Sequence, residues 1–321
     1  MRYNNILIIQ TAFIGDAILA SSLLEKLHNS LPTAQISILV RKGNESLYQQ
    51  HPFLKEVLIW NKQQKKTAQL FKLLFKIRKK KYDCVINCQR FASSGLLTTF
   101  SGAKHKAGYK QNPFSFFFNT TVKHSLGEGL HEIERYNQLI EDFTDTIVFK
   151  PKLYASPSDL SLMKKYTEKP FVFMAVASAW FTKQLPTSKW IELCNSIKPD
   201  TTIYLIGGPG DQSICEIILT GTTHQNTFNM AGKLSLLQTF ALMPFAEMNY
   251  VNDSAPLHLA SAANAKVTAF FLSTVPSFGF GPLSENSTIK EVRTLNCRPC
   301  GVHGYKECPQ QHFKCGLEMV I

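Results

Sequence analysis

The strongest constraint on this 321-residue chain is a run of short, continuously apolar stretches alternating with helical patterns. ILIIQ (6–10) precedes a helical pattern near 17–29, ISILV (36–40) one near 44–50, EVLIW (56–60) a basic one near 64–80, and CVINC (84–88) one near 93–101. Strands that are apolar at every position are covered on both faces, and strands separated by helices pair in parallel. HEIERYNQLIEDF (131–143) reads as a longer helix closing this half. PKLYASPSDLSLMKKYTEKP (151–170), rich in proline, serine and charge, reads as a linker. The alternation then resumes with FVFMAVAS (171–178), a helix over 188–197, TIYLIGG (202–208), a helix near 211–220, FNMAG (228–232), a helix near 235–243, MNYVND (248–253), the helix APLHLASAANA (255–265) and KVTAFFL (266–272). The expectation is two α/β domains, 1–155 and 156–321, with a ligand cleft between the carboxyl ends of two parallel sheets.

Composition narrows the class. A hydrophobic content of 44% with 18% charged residues describes a globular chain, not a disordered one. No apolar run approaches the ~20 residues of a membrane span. The N-terminus enters a strand pattern at once, so no signal peptide is expected and a cytoplasmic location follows. The net charge of +12 fits nucleic acid, an anionic membrane or a phosphorylated substrate. The eight cysteines are expected as reduced thiols.

The first connection, TAFIGD, holds one glycine and then a carboxylate where a dinucleotide-binding turn would read GxGxxG. Asp16 is either a helix N-cap or a general base at the carboxyl edge of the sheet, with Gly15 allowing a tight turn that exposes it. After MNYVN, either Asp253 or Ser254 caps a helix with Pro256 in its first turn, a start that binds anions through its N–H groups; an ordinary capped helix is the alternative. LIGGPGD (205–211) offers Gly207 and Gly208 for close backbone approach and Asp211 either for ribose hydroxyls or as a cap. SAWFTKQLPTSKW (178–190) carries Lys183, a cation for a pyrophosphate or a solvated lysine.

NKQQKKTAQLFKLLFKIRKKKYD (61–83) puts Leu70, Phe71, Leu74 and Phe75 on one face of a helix otherwise rich in lysine. It is a crossover helix whose cations could also attract an anionic leaflet. FSFFF (114–118) is either core or an exposed acceptor-side loop. Cys297, Cys300, Cys308 and Cys315 contain only one tight CxxC pair, a weaker zinc signal than two.

Taken together, ILIIQTAFIGDAILASSLLEKL, YDCVINCQ with SGAKHKAGY, HEIERYNQLI, SAWFTKQLPTSKW, LIGGPGD, NMAGKLSL and NDSAPLHLASAANAKVTAFF resemble the heptosyltransferase family of lipopolysaccharide assembly, glycosyltransferase family nine. The resemblance spans nearly the whole chain. It implies the GT-B fold, two Rossmann-like domains facing across a nucleotide-sugar cleft, and inverting transfer, commonly from ADP-heptose to a lipid A–core acceptor. It makes Asp16 of the GD motif the base and places Lys183 near the donor phosphates and Asp211 near the nucleoside. Asp253 and Ser254 match the start of the family's DSG or DTG donor motif, where this chain has Ala255 in place of glycine.

The resulting reading is an inverting glycosyltransferase with Asp16 and Lys183 catalytic. The donor is held by Ser178, Gly207, Gly208, Asp211, Asp253, Ser254 and His258. No metal and no cofactor are expected. The expected partners are a nucleotide-diphosphate sugar, a lipid-linked oligosaccharide and an anionic membrane surface, without nucleic acid, and the protein is expected peripherally at the inner membrane. The alternative is a non-catalytic nucleotide- or glycan-binding protein that retains the fold.

Overall fold

The computed structural model describes residues 3–62 and 66–321. The chain forms two compact units, Met1–Tyr154 and Ala155–Ile321. In the first unit the strands are β1 (Asn5–Gln10), β2 (Gln35–Arg41), β3 (Leu54–Trp60), β4 (Cys84–Asn87), β5 (His105–Tyr109) and β6 (Thr120–Val122). They pair in parallel in the order β3-β2-β1-β4-β5-β6. Its helices are α1 (Ile14–Ser30), α2 (Lys66–Lys79), α3 (Ala92–Thr99) and α4 (Glu132–Asn137).

The second unit contains α5 (Pro157–Met163), β7 (Phe171–Ala175), α6 (Thr187–Ser196), β8 (Thr202–Ile206), α7 (Gln212–Gly221) and β9 (Thr227–Asn229). It continues through α8 (Leu236–Leu242), β10 (Met248–Asn252), α9 (Ala255–Ala262), β11 (Val267–Phe271), β12 (Ser287–Glu291) and α10 (Lys314–Leu317). Its sheet runs β12-β11-β10-β7-β8-β9, also parallel throughout. Read from the other edge, this is the strand order of the first unit. The architecture therefore repeats without a sequence repeat. In each sheet the order reverses beside the first strand, between β1 and β4 and between β7 and β10, and ligands of open α/β sheets bind at such switch points.

Burial explains why the central strands read as continuous apolar runs. Ile6, Leu7, Ile8 and Ile9 of β1 and all five residues of β7 are buried. Each fully buried aliphatic side chain stabilises the fold by about 1.5–3 kcal/mol. α2 covers one face of the first sheet with Leu73, Leu74 and Ile77, packed among Leu39, Leu58, Trp60 and Val85.

Several local expectations change. The helix expected near 44–50 is a single 3-10 turn over Glu45–Tyr48. The helix expected over 131–143 is α-helical only from Glu132 to Asn137. The stretch read as linker holds a helix, α5, started by a capping box: the Asp159 N–H donates to Ser156 Oγ at 3.0 Å and the Ser156 N–H to Asp159 Oδ2 at 3.1 Å. Strands β5, β6 and β12 were not read from the sequence. The start of the basic helix near 64–65 lies outside the described residues. On α2 itself, Leu74 is buried but Phe71 and Phe75 are exposed.

Candidate active site

The switch point of the first sheet is built around a buried amide. Gln10, the last residue of β1, has no solvent exposure. Its Nε2 donates to Tyr136 Oη on α4 at 2.7 Å, and its Oε1 accepts from the Ala12 N–H at 3.1 Å. The same oxygen accepts from Gln89 Nε2, in the loop after β4, at 2.5 Å. One side chain thus joins the exits of two strands to a helix. The connection to α1 is held further by Asn44, whose Nδ2 donates to the Ala12 carbonyl at 3.1 Å. The Lys62 ammonium donates to the Thr11 carbonyl at 2.7 Å and to Thr11 Oγ1 at 3.0 Å.

Asp16 sits in the first turn of α1 and is half-buried. The N-cap of this helix is Phe13, whose side chain makes no capping bond, so the N-cap alternative for Asp16 does not describe the structure. Gly15 is likewise helical, which corrects the expectation of a tight glycine turn; the turn is made by residues 11–13. Asp16 lies close enough to Cys88 and Tyr136 for its charge to help push both groups' pKa upward, burial being the larger cause in each. Beneath these groups Glu132 is buried and accepts from Arg135 Nη1 at 2.7 Å, with His124 Nε2 at 3.1 Å from it. Burial is the main cause that pushes up Cys88, Tyr109 and Tyr136, and the Glu132 charge adds to it in all three.

The switch point of the second sheet gathers residues that follow β7 and β10. Lys183, at the end of a 3-10 turn over Phe181–Lys183, places its ammonium 2.6 Å from Asp253 Oδ2. The pair is largely withdrawn from water, with 15% of the lysine side chain and 7% of the aspartate side chain exposed. Thr274 Oγ1 donates to the same carboxylate oxygen at 2.6 Å. Asn252 fixes the neighbouring backbone: its Nδ2 donates to the carbonyl of Val176 at 3.0 Å and its Oδ1 accepts from the Leu185 N–H at 3.0 Å.

Helix α9 starts here, and neither candidate side chain caps it. Ser254 is the N-cap by backbone, with extended φ of −156° and no side-chain cap bond; its Oγ donates weakly to the Asn252 carbonyl at 3.4 Å. Asp253 is turned to Lys183 and Thr274 instead. Ala255 begins the helix and is not among the residues of positive φ, so this backbone does not require the glycine of the DSG pattern. His258 is buried one turn on, its ring 6.4 Å from that of Phe280.

The glycine loop is built by close approach. A Cβ on Gly207 would stand 2.7 Å from Asp211 Cβ, and Gly232, at φ +74°, donates its N–H to the Gly207 carbonyl at 2.9 Å. Asp211 Oδ2 accepts from the Gly208 N–H at 2.8 Å, so one carboxylate oxygen is engaged within the loop. Ser178 is half-buried in the loop after β7, and its carbonyl accepts from Gln184 Nε2 at 2.7 Å.

The structure therefore brings Ser178, Lys183, Asp253 and Ser254 to the loops of one switch point, while Asp16 and Gly15 occupy that of the other unit. Sequence reading missed Gln10, Gln89, Tyr136 and Thr274. It also missed a C-terminal buttress: the Tyr305 N–H donates to Thr182 Oγ1 at 2.7 Å, and Gly304, at φ +80°, leaves room that a Cβ would take 3.0 Å from Lys183 Cγ. The cysteine-rich segment folds against this turn, with the Cys300 N–H donating to the Ser273 carbonyl at 2.9 Å. All eight cysteines are free thiols, and burial pushes Cys315 up to about 11. Among the described residues no group of three or more His, Cys, Asp or Glu is arranged to hold a metal ion.

Comparison with known proteins bears on both sites. The family model of glycosyltransferase family 9 (heptosyltransferase) matches residues 70–311. The chain is 25% identical over 297 residues to lipopolysaccharide heptosyltransferase 1 of Campylobacter coli, covering 85% of each chain. It superposes on a family 9 glycosyl transferase from Veillonella parvula with a TM-score of 0.82 at 18% identity, covering 90% of this chain and 87% of the other. It also superposes on the ADP-heptose lipopolysaccharide heptosyltransferase II of E. coli with a TM-score of 0.78 at 22% identity, covering 99% and 98%. The fold is the GT-B fold of these heptosyltransferases.

Proposed function

The chain belongs to glycosyltransferase family 9, the heptosyltransferase family, and from that premise we propose how its two units divide the reaction. It is a glycosyltransferase of lipopolysaccharide core synthesis. The proposed donor is ADP-heptose, which the name of the E. coli relative contains, and the proposed acceptor is a lipid-linked core oligosaccharide. The second unit binds the nucleotide-diphosphate sugar through the start of α9, the 207–211 loop and Lys183. The first unit presents Asp16 to the acceptor.

In this reading the Asp16 carboxylate takes the proton of an acceptor hydroxyl as its oxygen attacks the anomeric carbon. The bond from that carbon to the ADP oxygen breaks, ADP leaves with the electron pair, and the configuration inverts. Charge growing on the diphosphate is met by Lys183 and by backbone N–H groups at the start of α9. Asp253 holds Lys183 in place, and Thr274 holds Asp253. The lipid of the acceptor would keep the protein peripherally bound at the cytoplasmic face of the inner membrane.

The observation that carries this reading is the placing of Asp16 in a helical first turn, with its connection pinned by Gln10, Asn44 and Lys62. A carboxylate there is held by the scaffold without serving as the cap. The test is incubation of purified protein with ADP-heptose and a heptose-deficient core acceptor. The expected product is the acceptor plus one heptose, of inverted anomeric configuration by NMR, with one ADP released per transfer. Retained configuration would overturn the role of Asp16, and transfer only from a different nucleotide sugar would overturn the donor.

A further inference from the structure

Helix α2 covers the first sheet with one face and leaves a second apolar feature on the other. Phe71 is 47% exposed and Phe75 69%. Four residues apart, their side chains are neighbours on the helix surface. Lys72, Lys76 and Lys79 are exposed around them, and among the described residues no ion pair engages these three lysines. Lys80, by contrast, is drawn to Glu56 at 2.5 Å.

The end of the helix adds a cationic recess. Arg78, three residues after Phe75, lines a pocket of about 240 Å³ with Lys81, Lys104, Ser101, Gly102 and Asp83. Asp83 is the one carboxylate there, and its oxygens accept from the backbone N–H groups of Asn4 and Asn5 at 2.9 and 3.1 Å. Arg78 Nη1 donates to the Phe100 carbonyl at 2.9 Å, which ties α2 to the end of α3 and stiffens the pocket wall.

We propose that this face of α2, with the pocket at its end, docks on a bilayer containing anionic phospholipid: Phe71 and Phe75 enter the acyl boundary, the lysines face the headgroups, and the Arg78–Lys81–Lys104 pocket receives a lipid phosphate. Rings inside a border of lysine are the pattern of an interfacial helix, which combines apolar burial with attraction to anionic lipid. A polyanion such as nucleic acid would use the cations but leaves the two rings without a role. For its purpose the inference rests on the lipid-linked acceptor proposed above; its test needs neither donor nor acceptor.

The experiment is co-sedimentation of the full chain with vesicles of phosphatidylglycerol and phosphatidylcholine in equal parts, and with phosphatidylcholine alone. Binding is expected on the mixed vesicles, weaker on the neutral ones, and reduced by salt. The double variant Phe71→Ser with Phe75→Ser is expected to lower partitioning at least about tenfold with an unchanged circular dichroism spectrum, because both rings lose their burial in lipid. Replacing Lys72, Lys76 and Lys79 with Gln is expected to remove most of the salt dependence. Phe75→Trp should be quenched by brominated acyl chains. Wild-type binding by the double Ser variant, no added quenching in Phe75→Trp, or displacement of vesicles by duplex DNA through this helix would overturn the proposal. Transfer to a delipidated acceptor should survive all these substitutions. Its absence in the wild type would instead point to failure of the chemistry proposed for Asp16, leaving the docking result intact.

Discussion

Two helix starts, α1 and α9, leave strands that flank the two switch points, β1 in the first sheet and β10 in the second, and are built in opposite ways. Each follows a central strand at a switch point. α1 begins with an aromatic N-cap that makes no side-chain bond, and carries a carboxylate inside its first turn. α9 begins with a serine N-cap and sends its carboxylate outward onto a lysine and a threonine. A helix N-terminus favours negative charge, whether it belongs to a side chain or to a ligand. The first start fills that role with its own Asp16. The second neutralises Asp253 with Lys183, and its serine N-cap makes no side-chain bond to the N–H groups of the first turn. This is the physical basis for assigning proton removal to one unit and the diphosphate to the other.

The largest effect expected from breaking this contrast is at Asp16. Asp16→Asn keeps the shape but cannot accept a proton at neutral pH. A general base contributes about two to four orders of magnitude in rate, so transfer should fall at least about a hundredfold. Donor affinity should be unchanged, and stability should stay within about 1 kcal/mol of wild type. Steady-state kinetics with calorimetric donor binding measures both. A wild-type rate would leave Asp16 without a catalytic role.

The next two effects separate the members of the ion pair. Asp253→Asn leaves the Lys183 ammonium without its counter-charge in a largely dry position. Removing one partner of a fully buried pair costs about 3–5 kcal/mol. Because Lys183 keeps some contact with water, a loss of roughly 2–4 kcal/mol in urea unfolding is expected. Affinity for ADP should be kept or increased, since the lysine is released toward the phosphates. Lys183→Ala has the opposite effect on binding: it removes a cation and leaves Asp253 uncompensated beside the anion site. Donor affinity should drop by about 1–3 kcal/mol. If the two variants shift ADP affinity in the same direction, the pair does not control the donor site.

The local rules of the chain explain what was legible. Continuous apolar runs marked the central strands because burial on both faces removes alternation. Strand-to-helix junctions marked Asp16, Lys183, Asp253 and Ser254 because switch-point residues lie next to such runs. Contacts across the fold left no local trace: Gln10 meets Tyr136 at a separation of 126 residues, and Thr182 meets Tyr305 at 123. The face of α2 was misread for a different reason. In LFKLLFKI, residues 70, 71, 74 and 75 form a helical stripe, but so do 70, 73, 74 and 77. Only packing against β2, β3 and β4 selects the second set, and it turns Phe71 and Phe75 outward. At α9 the spacing correctly placed the helix start but could not show that both capping side chains are used otherwise.

The smallest expected effect concerns the residue where this chain departs from its family's DSG pattern. Ala255 is the first residue of α9 and has an ordinary helical backbone, so its methyl group imposes no strain. Ala255→Gly restores the glycine and should lower stability by at most about 1 kcal/mol, the usual difference between the two residues in a helix. If the diphosphate is met by backbone N–H groups alone, ADP affinity should be the same in both proteins, because the variant moves none of these donors. If the methyl group crowds the diphosphate, Ala255→Gly should bind ADP more tightly while unfolding more easily. Calorimetric ADP binding and thermal unfolding of the same preparation separate the outcomes. Tighter binding would show that the start of α9 is obstructed in this chain, and would weaken the contrast between the two helix starts at the point where it depends on open N–H groups.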